Sequence, residues 1–199
     1  MNSEHQIIRR KTRKIFVGDV PVGGDSPITV QSMTNTLTND VESTLDQIKQ
    51  LSDAGADIVR VSVPDQEAAD AFRKIKKRSP VPLVADIHFD YTMALEAIKG
   101  KADCIRINPG NIGKEEKIRE VIAAAKDTNT PIRVGINAGS LERKLQVKYG
   151  EPNSDALVES AMNHINILKK YNFEDFKLSI KASDVHLTCL LYTSDAADD

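Results

Sequence analysis

Ile58-Val59-Arg60-Val61, Ile105-Arg106-Ile107 and Ile132-Arg133-Val134 are three β-branched apolar runs, and each carries an arginine in its middle. Runs of this kind read as parallel strands covered on both faces, where polar side chains are scarce. A guanidinium keeps its charge, so burying one demands a partner. A structural carboxylate explains one such arginine. Three on successive strands predict that the strands converge on something carrying several negative charges.

Outward from these runs the chain alternates. Strands are expected over residues 28–33, 57–63, 82–87, 103–107, 131–136 and 176–180, and helices over 41–51, 66–77, 93–99, 114–126, 141–148 and 154–171. Val41, Leu45, Ile48 and Leu51 show the helical spacing of apolar residues, and a turn rich in capping residues, 36–40, precedes them. Residues 14–22 read as a small hairpin closing one end. Strands each reached through a helix predict a parallel α/β fold, either an open doubly wound sheet or a (β/α)8 barrel. No glycine-rich dinucleotide fingerprint follows the first strand, since Val30-Gln31-Ser32-Met33-Thr34-Asn35 has no glycine. Polar residues instead mark the C-terminal end of every strand: Gln31 and Ser32, Arg60 and Ser62, Asp86 and His88, Arg106 and Asn108, Arg133 and Asn137, then Lys181. That is where barrels place their sites. The expectation is an incomplete TIM-type barrel, six of its eight strands present.

The composition is that of a soluble globular chain of 199 residues, 40% hydrophobic and 28% charged. A net charge of −2 gives no general attraction to nucleic acid or acidic membranes, and no apolar stretch has the length of a membrane span. The basic, polar start (Arg9, Arg10, Lys11, Arg13, Lys14) does not resemble a secretory signal and reads as a solvated arm. Two cysteines, Cys104 and Cys189, offer neither a disulfide framework nor a zinc motif, and a cytoplasmic location is expected.

Arginine presents a planar fork that matches phosphate oxygens. Arg60, Arg106, Arg133 and Lys181 around one barrel mouth suit a diphosphate or a bis-phosphorylated small molecule; the competing reading is a set of internal ion pairs with Asp57, Asp86 and Asp103, placed at strand starts. Asn108-Pro109-Gly110-Asn111-Ile112-Gly113 and Asn137-Ala138-Gly139-Ser140 are loops in which glycines and free amides at a helix start favour an anion. Asp86 and His88 lie on one side of an extended segment and can act as acid and base, bind hydroxyls or hold a metal; no third ligand accompanies them, so no metal site is expected, and His5, His164 and His186 read as surface or core residues. Lys181 can form a Schiff base with a carbonyl substrate, as in class I aldolases, or clamp phosphate. Three neighbouring arginines would depress its pKa in either role. Cys104, inside a strand, reads as a small buried hydrophobe.

Six motifs in register resemble the bacterial 4-hydroxy-3-methylbut-2-en-1-yl diphosphate synthase family: Val30-Gln31-Ser32-Met33-Thr34-Asn35-Thr36, Val59-Arg60-Val61-Ser62-Val63-Pro64, Val84-Ala85-Asp86-Ile87-His88-Phe89-Asp90, Arg106 through Gly113, Val134 through Glu142, and Lys181-Ala182-Ser183-Asp184-Val185. The resemblance runs from Arg9 to Val185. It implies reductive opening of 2-C-methyl-D-erythritol 2,4-cyclodiphosphate in isoprenoid biosynthesis, with electrons from flavodoxin or ferredoxin. It further implies a [4Fe-4S] cluster held by three cysteines and a glutamate of a C-terminal domain, and a homodimer in which one subunit's cluster domain closes over the other's barrel. Arg60, Arg106, Arg133 and Lys181 would hold the diphosphate, and Asp86, His88 and Asn137 would contact the substrate, with Asn108 a weaker candidate.

The cluster ligands have no counterpart in these 199 residues, so no catalytic residue is assigned and the chain alone is expected to be an inactive N-terminal fragment. Residues 1–188 are expected to be the truncated substrate-binding barrel. Cys189-Leu190-Leu191-Tyr192-Thr193-Ser194-Asp195-Ala196-Ala197-Asp198-Asp199 has neither helical nor strand periodicity and resembles a translated sequencing adapter. Two alternatives stand beside this reading: a Schiff-base aldolase using Lys181, and an inert, merely anion-binding remnant.

Overall fold

The computed structural model describes residues 11–192, so Arg9, Arg10, His5 and the tail from Thr193 onward lie outside the described residues. A two-stranded antiparallel hairpin, β1 (Ile15–Val17) and β2 (Val20–Val22), precedes a six-stranded parallel sheet in the order β3 (Gln31–Met33), β4 (Ile58–Ser62), β5 (Leu83–Ile87), β6 (Cys104–Ile107), β7 (Ile132–Asn137) and β8 (Phe176–Lys181). The connections carry α1 (Val41–Asp53), α2 (Gln66–Arg78), α3 (Tyr91–Lys99), the short α4 (Pro109–Ile112), α5 (Glu115–Thr128), α6 (Arg143–Tyr149) and α7 (Ser154–Lys170), and α8 (Val185–Tyr192) follows the last strand. Neighbours in space are neighbours in sequence throughout, the winding of a (β/α) barrel; the sheet is open, with β3 and β8 at its edges.

Short polar residues start the helices where the sequence places them. Asp40 accepts from the Ser43 amide at 3.1 Å, Asp65 from Ala68 at 2.8 Å, Asp90 from Thr92 at 2.9 Å and Asn153 from Ala156 at 2.9 Å. Between caps, the helices bury their apolar stripes against one face of the sheet. Val59, Val61, Leu83, Ala85, Ile87, Ile105, Ile107, Ile132 and Val134 meet Ile48, Phe72, Ile75, Val121, Ile122 and Leu157 there, all essentially inaccessible. Burial of a side chain of this size contributes about 1.5–3 kcal/mol, so this face supplies the fold's main driving force.

The hairpin plugs the base of the sheet: Val17 packs with Ile58, Val84 and Cys104 at the N-terminal ends of the strands. Its two-residue turn needs Gly18, at φ +63°, and brings the backbone so close to Pro82 that an added Cβ would lie 2.9 Å from Pro82 Cγ.

Two local expectations are corrected. The first sheet strand is confined to Gln31–Met33, because Ile28 and Val30 face solvent at an edge with no outer partner and the Val30 amide is taken by the Asp57 carboxylate at 2.7 Å. The segment from Cys189 was expected to lack helical order, yet α8 carries it through Tyr192. Asp184 accepts from the Leu187 amide at 2.7 Å at the start of that helix, and Leu191 is buried against the core. An apolar eight-residue segment with a capped start and an apolar surface to lie on forms a helix without a periodic pattern of its own.

Candidate functional site

In a parallel pair, residues in register face the same side. Met33 registers with Arg60, Arg60 with Val84, Asp86 with Arg106, Arg106 with Arg133, Arg133 with Lys177, and Asn137 with Lys181. Gln31, Arg60, Ser62, Asp86, Arg106, Arg133, Asn137 and Lys181 therefore share the face turned away from the helices, whereas Ser32 registers with Val59 on the helix side. Among the described residues that inner face carries five cations, Arg60, Arg106, Arg133, Lys177 and Lys181, and one carboxylate, Asp86.

Asp86 is the hub. Its side chain is 1% exposed, with Oδ1 3.1 Å from an Arg106 terminal nitrogen and Oδ2 3.1 Å from Arg60 Nε. The sequence reading put this aspartate among strand-start residues away from the mouth; it stands instead at the fourth position of β5, at the mouth. Of the three candidate ion-pair partners only Asp86 reaches the arginines. Asp57 and Asp103 serve the base, where Asp103 accepts from the Leu83 amide at 2.7 Å and pairs with Lys76 at 3.0 Å. One carboxylate cannot neutralise the set, so the inner face remains cationic.

The arginines are aimed individually. Arg60 donates to Met33 Sδ at 2.9 Å. Arg133 donates to Ser179 Oγ at 3.0 Å, and burial, then the nearby Arg60, pushes its pKa down from the ordinary arginine value. Arg106 lies across β7, above Gly135; an added Cβ there would fall 2.5 Å from Arg106 Nε. A glycine inside a strand marks a close approach, and here the approaching group is the guanidinium.

Lys181 ends β8 and is exposed. Burial of its stem lowers its pKa from 10.5, and Arg60, Arg133 and Arg106 push it the same way. Lys177, two inward-facing positions below it on β8, is half-buried and lowered chiefly by burial, with Arg133 adding to the effect. Cys104 itself is fully buried and pushed up to about 11, so its thiol stays protonated and serves as packing.

His88 Nε2 lies 3.9 Å from Asp86 Oδ2, beside the arginines and partly open to solvent. Asn137 closes β7 opposite Lys181. Asn108 is buried, and both ends of its amide are in use: Nδ2 donates to Ser140 Oγ at 3.0 Å and Oδ1 accepts from the Gly110 amide at 3.1 Å. The Asn111 and Ile112 amides bond to the Asn108 carbonyl. The Gly110, Asn111 and Ile112 amides are thus used within the turn and α4, and α5 opens with Glu115 and Glu116. Asn108 ties one mouth loop to the other.

Sequence reasoning missed Lys177, Ser179, Met33 and Gly135 as parts of this face. Counting back by twos from Lys181 would have found the first two.

Among the described residues no group of three His, Cys, Asp or Glu side chains is placed to hold a metal ion. Cys104 is sealed at the base and Cys189 is exposed on α8, so the described residues do not fit an iron–sulfur cluster.

The molecule is thus an α/β domain of the barrel type, with an open six-stranded parallel sheet among the described residues and a cluster of cations on its inner face. Solved structures agree on the fold: dihydropteroate synthase from Vibrio fischeri superposes with a TM-score of 0.59 at 16% identity, covering 84% of this chain and 66% of that one. Phospho-2-dehydro-3-deoxyheptonate aldolase from Thermotoga maritima gives 0.56 at 15%, covering 85% and 45%.

The chain belongs to the GcpE TIM-barrel domain family, which matches residues 12–198. Its relatives include proteins named 4-hydroxy-3-methylbut-2-en-1-yl diphosphate synthase (flavodoxin). Those from Alcanivorax borkumensis and Pseudomonas putida are 62% identical, and that from Pseudomonas aeruginosa 61%, each over 192 residues, 96% of this chain and 52% of the relative. The chain spans about half the length of the curated relatives it matches.

Proposed function

We propose that this chain is the substrate-binding barrel of a 4-hydroxy-3-methylbut-2-en-1-yl diphosphate synthase, and that it holds 2-C-methyl-D-erythritol 2,4-cyclodiphosphate at the mouth of the sheet. The observation that carries the reading is the inner face with five cations around a single carboxylate. Charge-assisted bonds from guanidinium forks are the strong, directional contacts a diphosphate requires. Arg60, Arg106, Arg133 and Lys181 would hold the two phosphates. Asp86, His88 and Asn137 would face the carbon skeleton, and Asn108 would act through the loop it fixes.

In the whole enzyme the reaction is the reductive opening of the cyclic diphosphate to 4-hydroxy-3-methylbut-2-enyl diphosphate, in the cytoplasm. The [4Fe-4S] cluster would supply electrons from a separate C-terminal domain in a homodimer, and flavodoxin, named for the relatives, is the favoured donor over ferredoxin. The residues described here do the binding: they neutralise the phosphates, orient the ring and leave its exposed side to the partner domain. We further propose that residues 1–188 are the barrel portion and 189–199 an adapter-derived tail. Sequencing the parent DNA past the Thr188 codon tests that boundary; a genomic read reproducing residues 189–199 and then stopping contradicts it.

Titration calorimetry of the full chain with the cyclic diphosphate is the test of binding. One molecule per chain is expected, with affinity reduced at least tenfold by Arg133→Met or Lys181→Met; no heat of binding, or wild-type affinity in both variants, overturns the reading. The lowered pKa of Lys181 favours one rival, Schiff-base chemistry. Borohydride reduction in the presence of a small phosphorylated aldehyde is expected to leave Lys181 unmodified.

A further inference from the structure

Behind the mouth lies a buried cluster that touches none of the anion-facing cations. Glu142, between Ser140 and α6, is half-buried, and both its carboxylate oxygens accept from Ser160 Oγ, at 2.9 and 2.8 Å. Its Oε1 also lies 2.6 Å from His164 Nε2. Ser160 and His164 are one turn apart on α7 and are 1% and 7% exposed. The stem of Glu142 underlies the other mouth loop: a Cβ built on Gly110 would meet Glu142 Cγ at 3.2 Å and Asn108 Oδ1 at 3.3 Å.

One carboxylate thus joins three pieces of the barrel: α7, the connection that carries Asn137 and Ser140, and the turn that carries Asn108. The Asn108–Ser140 hydrogen bond closes the loop of contacts on the mouth side. Ser160 donates to the carboxylate and not to the histidine, and it is sealed from solvent, so the three side chains do not form a nucleophilic triad. His164 Nδ1 has no hydrogen-bond partner among the described residues, so the cluster is held by the Ser160 hydroxyl and by the close approach of His164 Nε2, and these contacts fix the carboxylate against α7.

We propose that Glu142 is a positioning residue for the barrel mouth: held by Ser160 and His164, it sets the two loops that present Asn108 and Asn137 to a bound diphosphate. The inference rests on the substrate-binding reading above. Without the carboxylate, the Asn108 turn and the Asn137 loop lose their common anchor to α7, and the ligand must then order them as it binds.

The test uses the full chain with Glu142→Ala and, should that variant fold poorly, Glu142→Gln. Affinity for the cyclic diphosphate is read by calorimetry. Backbone hydrogen exchange is read at Gly110, Asn111 and Ile112, whose amides bond to Asn108. Leu168→Ala, on the same helix and buried without touching Glu142, is the control for general destabilisation. Affinity is expected to fall about tenfold and exchange at those three amides to quicken about tenfold in the Glu142 variants, with both within twofold of wild type in Leu168→Ala. Glu142 variants that bind within twofold of wild type, or a control that weakens binding equally, overturn the inference while leaving the substrate reading intact. A wild-type chain that does not bind the cyclic diphosphate overturns both.

Discussion

The two faces of the six-stranded sheet are made by the same strands, yet they obey opposite rules. On the helix side, β4 contributes Val59 and Val61, β5 Leu83, Ala85 and Ile87, and β7 Ile132, Val134 and Ile136, all buried among other apolar side chains. One residue along, the inner side carries Arg60, Asp86, Arg106, Arg133, Lys177 and Lys181. The helix face gains free energy by excluding water, and its loss is felt everywhere. The inner face concentrates like charge around one carboxylate, which costs stability and is the basis of the proposed anion site. Alternation at a period of two lets one strand serve both ends, because each substitution reaches only one face.

The largest effect that separates the faces is expected at Asp86. Asp86→Ala leaves Arg60 and Arg106 side by side without a counter-charge. Breaking a buried ion pair by removing one partner costs about 3–5 kcal/mol, so the denaturation midpoint should fall by a corresponding amount. Inorganic diphosphate should restore part of the loss. Val61→Ala, on the helix face of the neighbouring strand, should cost about 2 kcal/mol by cavity formation, and diphosphate should raise its stability no more than it raises that of the wild type. Equal response of both variants to diphosphate would erase the distinction between the faces.

A smaller effect is expected from Gly135→Ala, whose Cβ would fall 2.5 Å from Arg106 Nε. Displacing a packed guanidinium should cost about 1–3 kcal/mol and weaken diphosphate binding. Gly139→Ala has no atom within 4 Å of the added Cβ and should stay within about 0.5 kcal/mol of wild type. Chemical denaturation of the pair measures both. Gly135→Ala with wild-type stability and affinity would mean that Arg106 does not lie across β7.

The smallest effect is a pH dependence. Burial and three arginines lower the Lys181 pKa in the folded chain below the ordinary 10.5. A lysine lowered in this way destabilises the fold while it is charged, and that cost fades as pH rises through its folded value, since the native state then holds fewer protons than the unfolded one. A bound anion favours the charged form. Diphosphate affinity should therefore decline as pH rises through the lowered Lys181 value, and Lys181→Met should flatten the profile. A wild-type profile that stays level across that range would remove Lys181 from the site.

Much of the fold was legible in the sequence, because parallel strands covered by helices are β-branched runs and because the capping-rich turn at 36–40, which holds Asp40, announces the first helix. The three arginines were legible for the complementary reason, each interrupting such a run. What escaped depends on register and on distant contacts. That Asp86 takes both Arg60 and Arg106 follows from β5 lying between β4 and β6 at a particular offset, which no local pattern states. The spending of the Asn108 amide on Ser140 and Gly110, and the pairing of Glu142 with Ser160 and His164, join residues separated by other elements. The exposed stretch from Ile28 to Val30 looked like a strand because an apolar run does not reveal that it lies at an edge.

Nuclear magnetic resonance of the arginine side chains, in a chain labelled with 15N and titrated with 2-C-methyl-D-erythritol 2,4-cyclodiphosphate, tests the role of the inner face most directly. Arg60, Arg106 and Arg133 should shift together with a single saturation midpoint, while the exposed Arg78 and Arg119 stay in place. Inner-face arginines that shift no more than those two would contradict the assignment of this face as the diphosphate site.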